Sequence, residues 1–363
     1  MIKQKEEFKE IQEEEFKKIT LVLTNKCMLS CDYCEAQKNN FSMSENVLEK
    51  TFSLLADFYK EKPIDIMFFG GEPLMEFPLI RKAISICRKL DNIRRYNFSI
   101  FTNGVLLNKI DLKFLSRNNV ELIISIDGNR ETMAIHRKRG AINPYNNIIN
   151  ALPKLKLLGI KFEAEVTVTP HTVNKLYDNY LHLVDLGFES ITLVPVCCIE
   201  SDRFQWSQSA LRIFKKELNK ISKIYLKNTK YRRLGNLLIY RNQLKTDLNF
   251  IELNDWRMSV NVDGNIYIGD SFLVLDESQR KKLKIGDIRK IKSSKILEKL
   301  YKKYIENKKN FLSHIRKNPF VTKYSNQATL KILNEQMAQL DKLIKQNRIR
   351  ELRRSIQTRK IKF

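Results

Sequence analysis

Three cysteines within eight residues constrain this chain more than any other feature of its sequence. Cys27, Cys31 and Cys34 form a C-x3-C-x2-C run that directly follows an apolar segment, residues 19–23. Thiolates so close together suit one soft metal centre, and three of them fit an iron–sulfur cluster that leaves one iron without a protein ligand. A structural zinc site would require a second ligand pair downstream, and the sequence offers none. Half of the six cysteines fall in this run, so chance clustering is a weak explanation.

Composition places the chain among intracellular globular enzymes. With 43% apolar and 29% charged residues and no transmembrane-length apolar run, it is predicted to be cytoplasmic and free of a membrane segment. Cysteines gathered in a metal motif, without a disulfide framework, agree with a reducing compartment. Lys and Arg number 66 against 41 Asp and Glu, a formal charge of +25. This excess attracts anionic partners such as nucleic acid or an acidic peptide, or else serves solubility alone.

Apolar strands alternate with amphipathic helices between residues 18 and 200, which is typical of parallel βαβ units. The predicted strands cover residues 19–23, 64–69, 97–101, 121–126, 161–168 and 191–196. The predicted helices cover residues 45–59, 78–90, 112–117, 145–158 and 173–186. Six such units predict an α/β fold, an open (β/α)6 partial TIM barrel whose active site lies at the carboxyl ends of the strands.

We expect four segments along the chain. They are a charged N-terminal lead (1–17), the partial barrel (18–200), an α+β extension (201–326) and a basic helical tail (327–363). The extension is predicted to hold a helix at 209–226 and a β-hairpin at 258–268, which turns at Asp-Gly-Asn. Cys87 lies on the apolar face of a predicted helix and is expected to be a buried small hydrophobe. The four histidines show no metal-ligand spacing and are interpreted as ordinary residues.

Polar segments follow three consecutive predicted strands. The first is Gly70-Gly71-Glu72-Pro73, the second Thr102-Asn103-Gly104 and the third Ser125-Ile126-Asp127-Gly128. Any one of them is explained as a tight turn. However, the paired glycines permit close approach to the backbone, and the carboxylate of Glu72 accepts hydrogen bonds from an ammonium group. Together with the cysteine run, these segments predict a ligand site at the strand ends.

These segments resemble the radical S-adenosylmethionine (SAM) superfamily. The resemblance implies one 4Fe–4S cluster on the three cysteines, with its open iron chelated by the amino and carboxylate groups of SAM. It also implies that Glu72 binds the SAM amino group and that an arginine pairs with the SAM carboxylate. The alignment places this arginine at Arg137, with Arg139 as the alternative. The implied cofactor-binding residues are Tyr33, Gly70, Gly71, Glu72, Asn103, Ser125, Asp127 and Arg137.

The C-terminal extension resembles that of the SPASM and twitch branches of the superfamily. The hairpin and the segment Ile285-Gly286-Asp287-Ile288 carry this similarity. In those branches the hairpin supplies a cysteine to an auxiliary cluster, whereas this chain has Gly269-Asp270 there. We therefore expect a single cluster.

The resemblance implies that SAM is cleaved reductively and that the 5′-deoxyadenosyl radical abstracts hydrogen from a substrate. The expected substrate is a ribosomally made peptide with an acidic leader, which is epimerised or crosslinked, and the expected electron donor is a flavodoxin or ferredoxin. The alternatives are an RNA-modifying enzyme, a glycyl-radical activase and a non-catalytic partner protein that keeps the fold.

Two further cysteines, Cys197 and Cys198, follow Pro195 at the end of the sixth predicted strand. They are candidate catalytic residues, because a thiol there would donate a hydrogen atom to a substrate radical and make the enzyme an epimerase. The alternative is that one is packed as a small hydrophobe and the other is incidental.

Overall fold

The structure is a computed structural model. It describes residues 18–34, 36–58, 63–90, 96–138, 142–196, 202–228, 230, 258–268, 273, 277–293 and 296. The predictions made for the N-terminal lead, the basic tail, Arg139, Cys197, Cys198 and Gly269-Asp270 lie outside these residues. Within the described part, no helix combines the length and apolar character needed to cross a membrane.

All six predicted strands are present, with boundaries within two residues of those expected. The first six strands are β1 Lys18–Thr24, β2 Ile64–Gly70, β3 Tyr96–Thr102, β4 Val120–Ser125, β5 Phe162–Val168 and β6 Ile191–Pro195. Three more follow later in the chain: β7 Met258–Val260, β8 Asn265–Ile268 and β9 Lys284–Asp287. The α/β class with an open parallel sheet and flanking helices is confirmed.

The helices also follow the predicted periodicity. They are α1 Glu45–Phe58, α2 Phe77–Leu90, α3 Leu112–Arg117, α4 Arg130–His136, α5 Pro144–Leu157, α6 Leu176–Asp185, α7 Gln208–Lys227 and α8 Glu277–Leu283. The α1 helix begins where Ser44 Oγ accepts a hydrogen bond from the Val47 amide at 3.3 Å, which satisfies one donor of the first turn. The short helices α4 and α8 were not predicted.

The chain divides into two compact units. The first comprises Met1–Ser125, Ala134–Phe162 and Asn254–His314, and the second comprises Ile126–Met133, Glu163–Leu253 and Ile315–Phe363. In the first unit β1, β2, β3 and β4 pair in parallel in that order. On the other side of β1 lies β7, also parallel, with Leu21 opposite Val260. The carboxyl ends of β1, β2, β3 and β4 therefore meet at one edge of the sheet.

Apolar residues of these strands form the core of the first unit, and β1 is buried along almost its whole length. Ile19, Leu21 and Leu23 of β1 are fully buried, as are Phe68 of β2 and Ile100 of β3. Burying each such side chain contributes about 1.5–3 kcal/mol, which holds the strand ends in place. Cys87 in α2 is also fully buried, in agreement with its interpretation as a small hydrophobe.

The hairpin forms as its Asp-Gly-Asn turn predicts. Strands β7 and β8 are antiparallel, and the Gly264 φ of +79° lies in the left-handed region that glycine tolerates. Asp263 Oδ1 accepts the Asn265 amide hydrogen at 3.0 Å. Strand β9, which the sequence did not predict, pairs antiparallel with β8.

In the second unit, β5 and β6 pair in parallel with Ala164 opposite Ile191. Helices α6 and α7 belong to the same unit, and α7 is capped by Ser207, whose Oγ accepts from the Ala210 amide at 3.1 Å. The buried Glu217 of α7 accepts the Tyr177 amide hydrogen at 3.1 Å, which ties α7 to α6.

Candidate active site

The cysteine run forms a loop directly after β1, in the first unit. Cys27 and Cys31 are half-buried and Cys34 is exposed. The Cys34 amide donates to the Cys31 carbonyl at 3.0 Å, which closes a turn between these two cysteines. Backbone bonds then tie the loop to the segment that follows α4, because Ser30 N–H donates to the Lys138 carbonyl at 3.0 Å. The loop is thus held by backbone contacts, while its thiols are left to bind a ligand.

The Cys27 and Cys31 thiols are protonated at neutral pH in the absence of a cation. Burial raises the pKa of the Cys27 thiol, and it raises the pKa of Cys31 to about 11. The charges of Lys38 and Arg137 oppose this effect at Cys31 without cancelling it. A metal ion changes the balance, because thiolate coordination releases the proton. The donor set therefore fits a soft cationic centre.

The three cysteines do not converge on one point. Within the part of the chain that the structure describes, no three His, Cys, Asp or Glu side chains are grouped so that they could hold a single metal ion. A four-iron cluster asks for a different arrangement, because each thiolate binds a different iron of the cube. The cluster on these cysteines stays a prediction.

Glu72 lies immediately after β2 and is completely buried. Its Oε1 accepts hydrogen bonds from Thr102 Oγ1 at 2.8 Å and from the Leu74 amide at 3.0 Å. Its Oε2 accepts the Asn103 amide hydrogen at 2.7 Å. Burial raises the pKa of this carboxyl group to about 7, although these three bonds lower it. A buried, oriented carboxylate with a raised pKa fits an ammonium ligand, which would stabilise its ionised form.

Gly70 and Gly71 bring this carboxylate to the cysteine loop. A Cβ on Gly71 would lie 2.2 Å from the Lys26 carbonyl oxygen, and one on Gly70 would lie 2.2 Å from that of Thr24. The Glu72 amide donates to the Lys26 carbonyl at 2.8 Å. The glycines are therefore required for close approach of two backbone segments. Their predicted contact with a cofactor stays a prediction.

Aromatic and basic groups of two segments meet at the last cysteine. The Tyr33 and His136 rings are in edge-to-face contact with centroids 5.7 Å apart, and the Arg137 guanidinium lies 5.3 Å from the Tyr33 centroid. His136 Nδ1 lies 3.2 Å from Asp32 Oδ2. His136, which the sequence analysis interpreted as an ordinary residue, is 2% exposed and packs against the cysteine loop.

The third polar segment is also buried. Ser125, the last residue of β4, is 5% exposed, and Asp127 is 4% exposed. Within the second unit Asp127 Oδ1 accepts the Thr167 amide hydrogen at 2.9 Å, so this carboxylate fixes the start of the loop after β4 to β5. The predicted cofactor contacts of both residues stay predictions.

Comparison with known proteins agrees with this geometry. Residues 21–186 match the family model described as "Radical SAM superfamily". The chain is 29% identical over 169 residues to the cysteine-type anaerobic sulfatase-maturating enzyme of Clostridium perfringens. The aligned region covers 42% of this chain and 44% of that protein. The chain thus spans less than half the length of this relative.

Two solved structures share the fold. Native anSMEcpe with bound AdoMet and Kp18Cys peptide has a TM-score of 0.64 at 19% identity, covering 76% of this chain and 78% of that one. Streptococcus suis SuiB bound to the precursor peptide SuiA has a TM-score of 0.52 at 15% identity, covering 72% of this chain and 61% of that one.

Proposed function

We propose, since residues 21–186 are a radical SAM domain, that this protein is an enzyme in which Cys27, Cys31 and Cys34 hold one 4Fe–4S cluster. The observation that carries the proposal is the contact network between two neighbouring strand ends. The cysteine loop begins beside a fully buried carboxylate, because the Glu72 amide donates to the Lys26 carbonyl and the Glu72 charge acts on the Cys27 thiol. This arrangement matches a cofactor whose amino group binds a metal centre and donates hydrogen bonds to a carboxylate.

When bound, the cluster and SAM supply a 5′-deoxyadenosyl radical that abstracts hydrogen from the substrate. The contribution of the chain is to hold the reactants in place. Glu72 offers a carboxylate that hydrogen bonds from Thr102 and Asn103 orient before any ligand arrives. Because the pKa of its carboxyl group is about 7, the group is partly ionised at neutral pH, and the ionised form accepts hydrogen bonds from the amino group of SAM.

The segment after α4 supports the cysteine loop from the other side. Arg137 is 7% exposed and lies against Tyr33, the residue before the last cysteine. Burial raises the pKa of the Cys31 thiol, and the charge of Arg137 partly opposes this rise, so Arg137 favours the thiolate that a cluster requires. This supports a place for Arg137 in the site and is compatible with the predicted contact to the SAM carboxylate.

The proposed substrate is a ribosomally made peptide whose leader is acidic. The chain carries a formal charge of +25, which attracts acidic segments over distances of about one Debye length. The two solved structures named above contain a peptide, one of them a precursor peptide. The same charge also suits RNA, so an RNA substrate is the second candidate.

Cluster content tests the cofactor proposal. Anaerobic reconstitution of the full chain should give about four iron atoms per chain, and the Cys27→Ala, Cys31→Ala and Cys34→Ala variants should lose the cluster and SAM cleavage. Cys87→Ala is the matched control, because this cysteine is buried in α2, and it should keep the iron. About eight iron atoms per chain would instead show a second cluster.

Substrate class is tested by SAM cleavage. Reconstituted protein is incubated with SAM alone, with an acidic leader peptide joined to a core segment, or with RNA. Stimulation by the peptide, with 5′-deoxyadenosine formed in proportion to a mass change of the peptide, is the expected result. Stimulation by RNA alone would contradict the peptide proposal and favour the second candidate.

A further inference from the structure

Asn103, at the end of β3, has a side chain that is held in one orientation. Its Oδ1 accepts the Val105 amide hydrogen at 3.0 Å. An amide has one acceptor oxygen and one donor nitrogen, so this bond fixes which end is which. The side chain is 8% exposed, and its Nδ2 must point away from Val105.

The Nδ2 group points at the cysteine loop. It lies 3.7 Å from Cys27 Sγ and 3.4 Å from Met28 Sδ, distances that suit a donor facing the large sulfur atom. The Leu29 amide also donates to Cys27 Sγ, at 3.4 Å. The Cys27 sulfur therefore receives hydrogen bonds from two directions, one local and one from a residue 76 positions away.

The backbone of Asn103 contacts the other binding group of the site. Its amide hydrogen is donated to Glu72 Oε2 at 2.7 Å. One residue thus touches the first thiol of the cysteine loop with its side chain and the buried carboxylate with its main chain. A displacement of Asn103 would move both contacts together.

We propose that Asn103 raises the reduction potential of the cluster by donating a hydrogen bond from Nδ2 to the Cys27 thiolate. The inference rests on the proposed function, because it requires a cluster on this loop. Reduction adds negative charge to a cluster and its thiolates. A fixed N–H donor stabilises the reduced state more than the oxidised state, and hydrogen bonds to the sulfurs set the potentials of such clusters. Asn103 is a positioning residue, since it acts on the cluster through Cys27.

Asn103→Asp is the sharpest substitution. The aspartate keeps an oxygen for the Val105 amide and leaves the backbone bond to Glu72 in place, but it replaces the donor beside Cys27 with a carboxylate oxygen. Asn103→Leu removes the donor without adding a charge. Asn108→Asp is the matched control, because it makes the same chemical change five residues later on an exposed side chain that donates to the Asn147 carbonyl.

The test is a redox titration of the reconstituted full-length protein, followed by electron paramagnetic resonance of the reduced cluster. The hydrogen bond to the thiolate is stronger in the more negative, reduced state of the cluster. The ratio of reduced to oxidised cluster at a fixed applied potential should therefore fall about tenfold in Asn103→Leu, which corresponds to about 59 mV for one electron. It should fall further in Asn103→Asp and stay unchanged in Asn108→Asp.

Each outcome has a distinct meaning. Potentials of both Asn103 variants equal to that of the unsubstituted protein, at equal iron content, would overturn the inference. If Asn103→Asp does not hold a cluster, Asn103→Leu decides the question, because it introduces no charge. Absence of a cluster in the unsubstituted protein would instead refute the proposed function, so the two failures are distinguishable.

Discussion

Replacing Glu72 with Gln should abolish tight SAM binding while leaving the fold and the cluster in place. The carboxylate accepts three hydrogen bonds, and the glutamine oxygen can keep those from Thr102 and the Leu74 amide. The new Nε2 group would then face the Asn103 amide hydrogen, donor against donor. One unsatisfied buried donor costs about 1–3 kcal/mol of folding stability.

The loss in binding should be larger than this structural cost. Removing the charged partner of a buried polar pair costs about 3–5 kcal/mol, so the affinity for SAM should fall roughly 10²- to 4 × 10³-fold. The measurement is isothermal titration of reconstituted protein at pH 8, where a carboxyl group with a pKa of about 7 is ionised. Iron content and thermal unfolding, measured in parallel, report on the cluster and the fold.

Two controls separate charge from structure. Thr102→Val removes a hydrogen bond to the same carboxylate but keeps its charge, and SAM affinity should change less than tenfold, or about 1.4 kcal/mol. The ligand 5′-methylthioadenosine lacks the amino group and should bind equally to the unsubstituted and Glu72→Gln proteins. If Glu72→Gln lowers the affinity for both ligands equally, the substitution has disrupted the structure of the site. An unchanged SAM affinity would refute the assignment of the SAM amino group to Glu72.

Four other outcomes are expected. Burial raises the pKa of Glu72 from 4.5 to about 7, so the SAM affinity measured by calorimetry should rise about tenfold per pH unit up to pH 7 and then level off. The contribution of this group to folding stability is lost as the pH rises from about 4.5 to 7. A SAM affinity that does not change with pH would contradict this. Gly71→Ala places a methyl group 2.2 Å from the Lys26 carbonyl oxygen and should lower the free energy of unfolding by about 1–3 kcal/mol in thermal unfolding. In the control Gly159→Ala the methyl group meets open space, and the loss of about 1–2 kcal/mol should come from the positive φ alone. Residues 310–363 contain 13 Lys or Arg and 3 Asp or Glu. Deleting residues 328–363 should weaken peptide binding in a salt-dependent manner but leave SAM cleavage without peptide unchanged. Equal peptide affinities of the truncated and full-length proteins would show that the tail does not bind the substrate. For a reaction run in deuterated water, epimerisation predicts a product with deuterium at one Cα, and replacing Cys197 or Cys198 by Ala should abolish this deuterium incorporation. A product two hydrogens lighter, made equally by both variants, would favour crosslinking.

Local patterns in the sequence were sufficient to predict the elements of this fold. The predicted helix at 112–117 is identical to α3, and the six predicted strands end within two residues of β1 to β6. Apolar periodicity sets the type of an element, and capping residues such as Ser44 set where it begins, and both are local properties. The sequence also placed the cysteines, Glu72 and Asn103 directly after strands, because parallel strands expose their carboxyl ends at one edge. Helices α4 and α8, of seven residues each, were not predicted.

Contacts between distant residues were decided by the tertiary structure. Which strand lies beside β1 depends on the pairing of Leu21 with Val260, and no local pattern encodes a separation of this length. Likewise, Glu72 becomes a fully buried acceptor with a raised pKa only when β3 brings Thr102 and Asn103 to it. The packing of the same strand ends places Asn103 Nδ2 3.7 Å from Cys27 Sγ. Residue types and their positions at strand ends are written in the sequence, whereas distances, burial and hydrogen-bond partners arise when separate strand ends are packed into one sheet.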